Sequence, residues 1–316
     1  MPLPCLLVDH PRYQEHDTGS QHPENPSRVE AIRQRLRSGP LKDRLLVRES
    51  APASRAQCLA VHDESYLFRL EESCLMGLTA IDHPDNQIGY DSFEVALLAA
   101  GGGIAAIDLL ERGEPGAAFS LNRPPGHHAE SDRALGFCLL NNVAIAARHW
   151  QSAHGRRRIL ILDWDAHHGN GIQNIFLNDP EVFYISIHEH PTFSFPGTGF
   201  AEENGARAGQ GLTLNIPLPP GAGDLEALEA LECLVAPALT AFKPQALLVA
   251  AGFDGHADDD MSGLLYSTGL YGRLGIMTKR WGQACEGRVV SILEGGYHLE
   301  SLAASVEAYL LGLSDD

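Results

Sequence analysis

Residues 158–171 read RILILDWDAHHGNG. Four consecutive Ile or Leu side chains come first, and two aspartates and two histidines follow close behind. A strand with one wet face alternates apolar and polar residues. An unbroken apolar run instead fits a strand covered on both faces, as in a parallel sheet between helices. Similar runs precede it at CLLVD (5–9), RLLVRE (44–49) and AAFSL (117–121), and others follow at VFYISIH (182–188), LTLNIPL (212–218), ALLVAAGFD (246–254) and RVVSILEGG (288–296). Segments of helical period separate most of them, at 26–38, 93–112, 224–242 and 301–313. This alternation predicts an α/β fold with a parallel sheet of about eight strands flanked by helices. No linker, repeat or low-complexity tract interrupts it, so one domain is expected over residues 1–316. The run Gly101-Gly102-Gly103 falls inside a helical stretch, where glycine costs stability relative to alanine. Close packing of that helix on the sheet would account for it.

The unusual polar clusters all follow apolar runs: RPPGHH (123–128), DWDAHHGNG (163–171), GFDGHADDD (252–260) and GGYHL (295–299). Ligands of open α/β sheets bind beyond the carboxyl ends of the strands, so these clusters are expected to converge at one rim. If the chain stays extended through Asp163-Trp164-Asp165-Ala166-His167, then Asp163, Asp165 and His167 share a face. Two carboxylates and an imidazole buried together are costly unless a metal resolves them. Asp254, at another strand end, could supply a third protein ligand beside Asp165 and His167. Two aspartates and a histidine leave a position for water, the pattern of a catalytic rather than structural zinc site. A plainer reading has Asp163 and Asp165 capping a helix that starts near Gly169. Near a metal-bound water, one of His127 and His128 can serve as general base and then acid while its neighbour adds charge. A glycine pair before Tyr297 lets the chain bend and turn the phenol toward the cleft, where it could steady an oxyanion.

RPPGHH, GFCLLNN (136–142), DWDAHHGNG, FPGTG (195–199), AGFDGHADD (251–259) and EGGYHL (294–299) resemble, in order, the signatures of the histone-deacetylase superfamily. HDTGSQHPENPSR (16–28) resembles the N-terminal signature of its class II-like branch, which includes many microbial amidohydrolases. The resemblance implies the arginase–deacetylase fold with an eight-stranded parallel sheet. It implies a zinc-dependent hydrolase that removes acyl groups from amines. It makes Asp165, His167 and Asp254 the zinc ligands, and His128 the main general base and acid, with His127 as electrostatic partner. Asp163 would orient His127, Asn170 would orient His128, and Tyr297 would polarise the amide carbonyl. Phe137 and Phe195 match the walls of an acyl-chain tunnel, with Gly136 giving it room. The family also binds potassium: Asp163, Asp165, His167, Ser186 and Ile187 match an inner site, and Phe176, Asp179 and Val182 part of an outer one.

Two departures from the family pattern stand out. Asn25 replaces the arginine of HPERP, so an arginine near the acetate-release region is missing or supplied elsewhere. Met261 stands where polyamine-specialised members can carry a glutamate gatekeeper. An acidic rim of Asp85, Asp258 or Asp260 could still receive a cationic substrate. Expected substrates are therefore acetyl-lysine peptides, with acetylpolyamines or other small acylated amines as the alternative. A ureohydrolase with two manganese ions is disfavoured, because Gly169 stands where its second-metal carboxylate belongs. A non-catalytic acyl-lysine binder is disfavoured because all the ligands and Tyr297 are present.

Composition agrees with this reading. The chain has 316 residues, 44% of them hydrophobic, enough for a large core. Its 23 Lys+Arg against 41 Asp+Glu give a net charge of −18, which repels nucleic-acid phosphates and draws cations. Six scattered cysteines without a CxxC pair read as free thiols in a reducing compartment. The start MPLPCLLVDH has no basic n-region, and the apolar stretch 95–107 falls short of the ~20 residues of a membrane span. A cytoplasmic location is expected, with no nucleic-acid or membrane partner.

Overall fold

All eight apolar runs form strands. In the computed structural model, which describes residues 5–114 and 117–314, the strands are β1 (Cys5–Asp9), β2 (Leu45–Glu49), β3 (Ala80–Ile81), β4 (His83–Gln87), β5 (Ala118–Ser120), β6 (Ile159–Asp163), β7 (Val182–Glu189), β8 (Thr213–Leu218), β9 (Ala246–Ala251) and β10 (Val289–Leu293). The ends of the expected domain, 1–4 and 315–316, and the start of the stretch read for a leader lie outside the described residues. The main sheet is all parallel, in the order β2-β1-β5-β10-β9-β6-β7-β8. The β3–β4 pair is a separate antiparallel hairpin that the apolar pattern did not signal. Its sequence, AIDHPDNQ, carries too few apolar residues for a strand signature.

The unbroken apolar runs have a simple cause. In β6, Leu160 and Leu162 enter one core layer while Ile159 and Ile161 enter the other, so both sides of the strand need apolar residues. The edge strand β2, by contrast, has no fully buried residue.

The helices are α1 (Ser27–Ser38), α2 (Arg55–Leu59), α3 (Glu64–Leu75), α4 (Ser92–Glu111), α5 (Asn142–His154), α6 (Asn170–Phe176), α7 (Asp224–Ala230), α8 (Ala236–Phe242), α9 (Thr268–Gly282) and α10 (Leu299–Ser314). α1, α9 and α10 contribute to one core layer, α3 and α5 to the other. α4 is long and apolar enough to cross a membrane, but 72% of its most apolar stretch is buried inside the protein. Its glycine run is explained by contact. A Cβ at Gly101 would lie 1.8 Å from the Ala51 carbonyl oxygen, one at Gly102 2.3 Å from Ser120 Oγ, and one at Gly103 2.9 Å from Ile292 Cδ1. The intrinsic cost of ~1 kcal/mol per glycine is therefore accepted for close approach to the sheet.

Two sequence expectations are corrected. The single helix expected at 224–242 is divided by a π-helical turn, Leu231–Val235. Pro237 has no N–H to give to Cys233, four residues back, and the turn before it widens. The extended reading through residue 167 also fails, because β6 ends at Asp163. The N–H of Asp165 folds back onto Asp163 Oδ1 at 3.1 Å, and that of His167 onto Asp165 Oδ1 at 3.0 Å. Asp163 and Asp165 consequently serve different neighbours.

Candidate metal centre and active site

The four strands that precede the polar clusters, β5, β10, β9 and β6, are consecutive in the sheet. Their carboxyl ends therefore deliver RPPGHH, EGGYHL, AGFD and DWDAHH to one place. Asp165, His167 and Asp254 each bring a donor atom within 4.8 Å of the others, and all three are buried. His167 Nδ1 lies 3.1 Å from Asp165 Oδ1 and 3.0 Å from Asp254 Oδ2. On the far side of the ring, Nε2 faces the Met261 carbonyl at 3.1 Å. That carbonyl can only accept, so it holds the proton on Nε2 and leaves Nδ1 as the ligand atom.

Backbone donors fix the carboxylates. Gly295 N–H donates to Asp165 Oδ2 at 2.8 Å, and Ala166 N–H donates to Asp254 Oδ1 at 2.9 Å. Burial first, and then the charge of Asp165, push Asp254 up to about 6. Two buried carboxylates facing one imidazole nitrogen form a set that a divalent cation satisfies. Neither Asp163 nor Asp165 caps α6, whose N-terminus at Gly169 has no side-chain cap. A carboxylate-bearing side chain at 169 has no room, since its Cβ would stand 2.4 Å from Asp163 Oδ2.

The rings of the two histidines of RPPGHH lie with centroids 3.9 Å apart, tilted at 44° to each other, and take opposite roles. His127 Nδ1 is 3.1 Å from Asp163 Oδ2, and its Nε2 is 3.7 Å from Asp165 Oδ1. Burial alone would depress His127, but the charges of Asp165 and Asp163 outweigh it and push it up to about 10. His128 Nδ1 donates to Asn170 Oδ1 at 2.8 Å, and Asn170 Nδ2 is turned away to Glu130 Oε1 at 2.7 Å. That network puts the His128 proton on Nδ1 and leaves Nε2 as a base. Burial, followed by positive charge at His127 and His167, holds His128 well below the usual imidazole range, so it is neutral at pH 7.

Gly136 adopts φ +52, and a Cβ there would lie 2.4 Å from His128 Cδ2 and 2.8 Å from Phe195 Cε1. Only glycine leaves that space open. The Phe195 ring stands edge-on to His128 at 4.9 Å, and Phe137 edge-on to Tyr297 at 5.8 Å. Burial pushes the Tyr297 phenol well above its ordinary value, which keeps its O–H a donor. Asp85 lies with Thr18, Gln21, His22 and Phe137 around a rim cavity of about 550 Å³. Asp258 and Asp260 are exposed. Met261 reaches the centre through its carbonyl. The potassium candidates fall in two places: Asp163, Asp165, His167, Ser186 and Ile187 around the end of β6 and the neighbouring middle of β7, and Phe176, Asp179 and Val182 between α6 and the start of β7. Asp163 and Ser186 are register partners, and the Phe176 carbonyl accepts the Asp179 N–H at 2.9 Å.

Position 25 carries no arginine, but Arg28 on α1 brings a guanidinium to the Tyr297 loop. Its guanidinium lies 4.9 Å from the Tyr297 ring centroid, donates from Nε to the Gly296 carbonyl at 2.6 Å and from Nη2 to the Glu294 carbonyl, and pairs with Glu24 at 3.0 Å. Reading the sequence also passed over Glu294, whose Oε2 accepts the N–H groups of Gly126 at 2.6 Å and His127 at 3.1 Å. A lone acid closing the apolar run SIL was its signal. Tyr184, which donates to Asp163 Oδ2 at 2.9 Å, gave none, being one more aromatic in a buried strand.

Comparison with known proteins agrees with the geometry. The histone deacetylase domain profile matches residues 22–313. A probable deacetylase of Archaeoglobus fulgidus is 40% identical over 299 residues, which is 93% of this chain and 81% of that one. The histone deacetylase-like amidohydrolase of Pseudomonas aeruginosa is 39% identical, over 87% of this chain and 72% of its own. The crystal structure of the HDA15 HD domain superposes with a TM-score of 0.91 at 34% identity, over 98% of this chain and 88% of that one. Its fold, the arginase–deacetylase architecture, is the fold found here. One likeness thus covers the sheet, the order of the signatures and the buried carboxylate–imidazole cluster, and the chain belongs to the histone deacetylase family of hydrolases.

Proposed function

We propose that the protein is a zinc-dependent deacylase that hydrolyses N-acyl amides, with acetyl-lysine-type side chains as its foremost substrates. The observation that carries this is the convergence of Asp165, His167 and Asp254 within 4.8 Å, beside a neutral, hydrogen-bonded His128. Those three residues would hold the metal. Bound there, zinc would polarise the scissile carbonyl and acidify a water. His128 Nε2 takes the proton of the attacking water, and the water oxygen bonds to the carbonyl carbon. As the C–N bond breaks, His128 returns that proton to the departing amine. His127, held by Asp163, places positive charge near the developing negative charge. The Tyr297 O–H donates to the oxyanion. The apolar passage between Phe137 and Phe195 admits a slim alkyl arm rather than a branched amide. Met261 offers no carboxylate to a secondary ammonium, which places acetylpolyamines second to acetyl-lysine. Asp163, Asp165, His167, Ser186 and Ile187 would hold an inner potassium ion by their oxygens, with an outer one at Phe176, Asp179 and Val182.

The test is a side-by-side assay on acetyl-lysine peptides, acetylpolyamines and longer acyl-lysines, with and without chelator. Hydrolysis that is lost on chelation and restored by zinc is expected, fastest on acetyl-lysine. Turnover that survives complete metal removal would overturn the reading, and activity confined to acetylpolyamines would reverse the substrate order.

A further inference from the structure

A second convergence of ligand side chains lies away from the active site. Asp108 stands one turn before the end of α4, and His149 and His154 lie on the last turns of α5. Nε2 of each histidine is 2.8 Å from the same oxygen, Asp108 Oδ1. The two rings approach that point from different directions, with centroids 5.4 Å apart and planes at 78°. The three donor atoms all lie within 4.8 Å of one another. The side chains are 10%, 23% and 35% exposed for His149, His154 and Asp108, which leaves an opening for water as a further ligand. We propose that Asp108, His149 and His154 form a second divalent transition-metal site, which clamps α4 to α5.

The surrounding electrostatics favour a cation. α4 ends at Glu111, and α5 ends at His154, capped by Gly155 in the left-handed conformation. The negative ends of two helix dipoles therefore meet at this point, in a chain of net charge −18. Arg156, just past the end of α5, is committed to Glu111 through bonds of 2.8 and 2.6 Å. Gln57 Nε2 lies 3.5 Å from His149 Nδ1, behind the ring; once Nδ1 carries the proton, the amide must turn its oxygen, now directed to Ser54, to accept it. Two imidazoles and a carboxylate without thiolate suit Zn²⁺, Co²⁺, Ni²⁺ or Cu²⁺ rather than Mg²⁺ or Ca²⁺. The neutral histidines need only move their protons to Nδ1 for both Nε2 lone pairs to reach the ion. The site is separate from the catalytic one. α5 begins at Asn142, whose side chain donates to the Pro124 carbonyl next to the histidine pair, and 13 residues of helix carry the chain roughly 20 Å further.

The experiment uses the full chain, stripped with chelator and titrated with Zn²⁺, followed by dialysis and metal analysis. Two ions per chain are expected for the wild type. One is expected for His149→Ala and for His154→Gln, the latter a mild change at a helix end. One is also expected for Asp254→Asn, where the loss falls on the other site. Zinc beyond the first equivalent should raise Tm in the wild type but not in the two histidine variants, whereas in Asp254→Asn the first equivalent alone should raise it through this second site. A wild type that saturates at one ion, or histidine variants that still take up two, would overturn the proposal. In that event Asp108 would simply be a carboxylate bridged by two imidazole N–H groups.

Discussion

Asp259 Oδ2 accepts the backbone N–H of Tyr297 at 2.6 Å, and that of His298 at 3.0 Å. Its other oxygen accepts the N–H of Met261 at 3.2 Å, and the side chain is buried. One carboxylate thus ties the loop that carries Asp254 to the loop that carries Tyr297. Bonds from neutral donors to a charged acceptor contribute about 1.5–3 kcal/mol each. In Asp259→Asn an amide N–H₂ would face one of these donors, and the tyrosine loop would loosen. Turnover should fall ~10-fold or more, while KM and metal content stay near wild type. A KM effect with kcat preserved would mean that the carboxylate serves substrate binding instead.

Tyr297 is expected to act through its hydroxyl alone, because its ring is held independently by Arg28 and Phe137. Tyr297→Phe should therefore leave folding and metal uptake intact and lower kcat by ~10²-fold or more, the scale of losing one oxyanion donor. Single-turnover rates on an acetyl-lysine peptide measure this directly. Near-normal rates would show that the oxyanion is held by other groups.

Substrate charge should matter at the rim. Asp85 lines the cavity beside Phe137, and the chain carries −18 overall. A cationic acetyl-lysine peptide should have a higher kcat/KM than an uncharged analogue at low salt. The gap should narrow at high salt, because exposed charges are screened over roughly 8–10 Å at 0.10–0.15 M. Equal values at both salt levels would remove the acidic surface from substrate choice.

The sheet was legible from residues such as Ile159 to Leu162, because a strand with two covered faces has no polar position. The catalytic rim was legible because polar clusters follow strands that prove to be neighbours. The hairpin at Ala80–Gln87 was not, since a short ribbon that gives the core only Ile81 needs no apolar run. The division of labour between Asp163 and Asp165 came from the family resemblance and not from the spacing. It depends on a turn just past β6, and sequence spacing alone suggested a common face. Arg28 was hidden for a related reason: the expected arginine position held Asn25, and only the folded chain shows α1 carrying another arginine to the Tyr297 loop.

Glu24 gives a prediction for stability against pH. It is fully buried and accepts from Arg28 at 3.0 Å and from Arg123 at 2.9 Å. Burial alone would raise its pKa, but the two guanidinium charges, Arg123 first, outweigh that and hold it down to about 2 from 4.5. The folded-state value lies below the unfolded one, so the stabilisation is fully present above about pH 4.5 and is lost as the pH falls toward 2. At 1.36 kcal/mol per unit the whole contribution is roughly 3 kcal/mol, and over half of it should be gone by about pH 3. Glu24→Gln abolishes that dependence and also leaves two buried guanidinium groups without their anion, at a cost of about 3–5 kcal/mol at neutral pH. His16, which burial holds down to about 3, is neutral in both proteins at pH 7 and 5 and begins to charge only near pH 3, where the Glu24 carboxylate favours its protonation. Urea unfolding of wild type and variant at pH 7, 5 and 3 should therefore show a stability gap that is widest at pH 7 and shrinks below pH 4.5. A gap of constant size across that range would mean that the carboxylate charge of Glu24 is not what binds Arg28 and Arg123 in place.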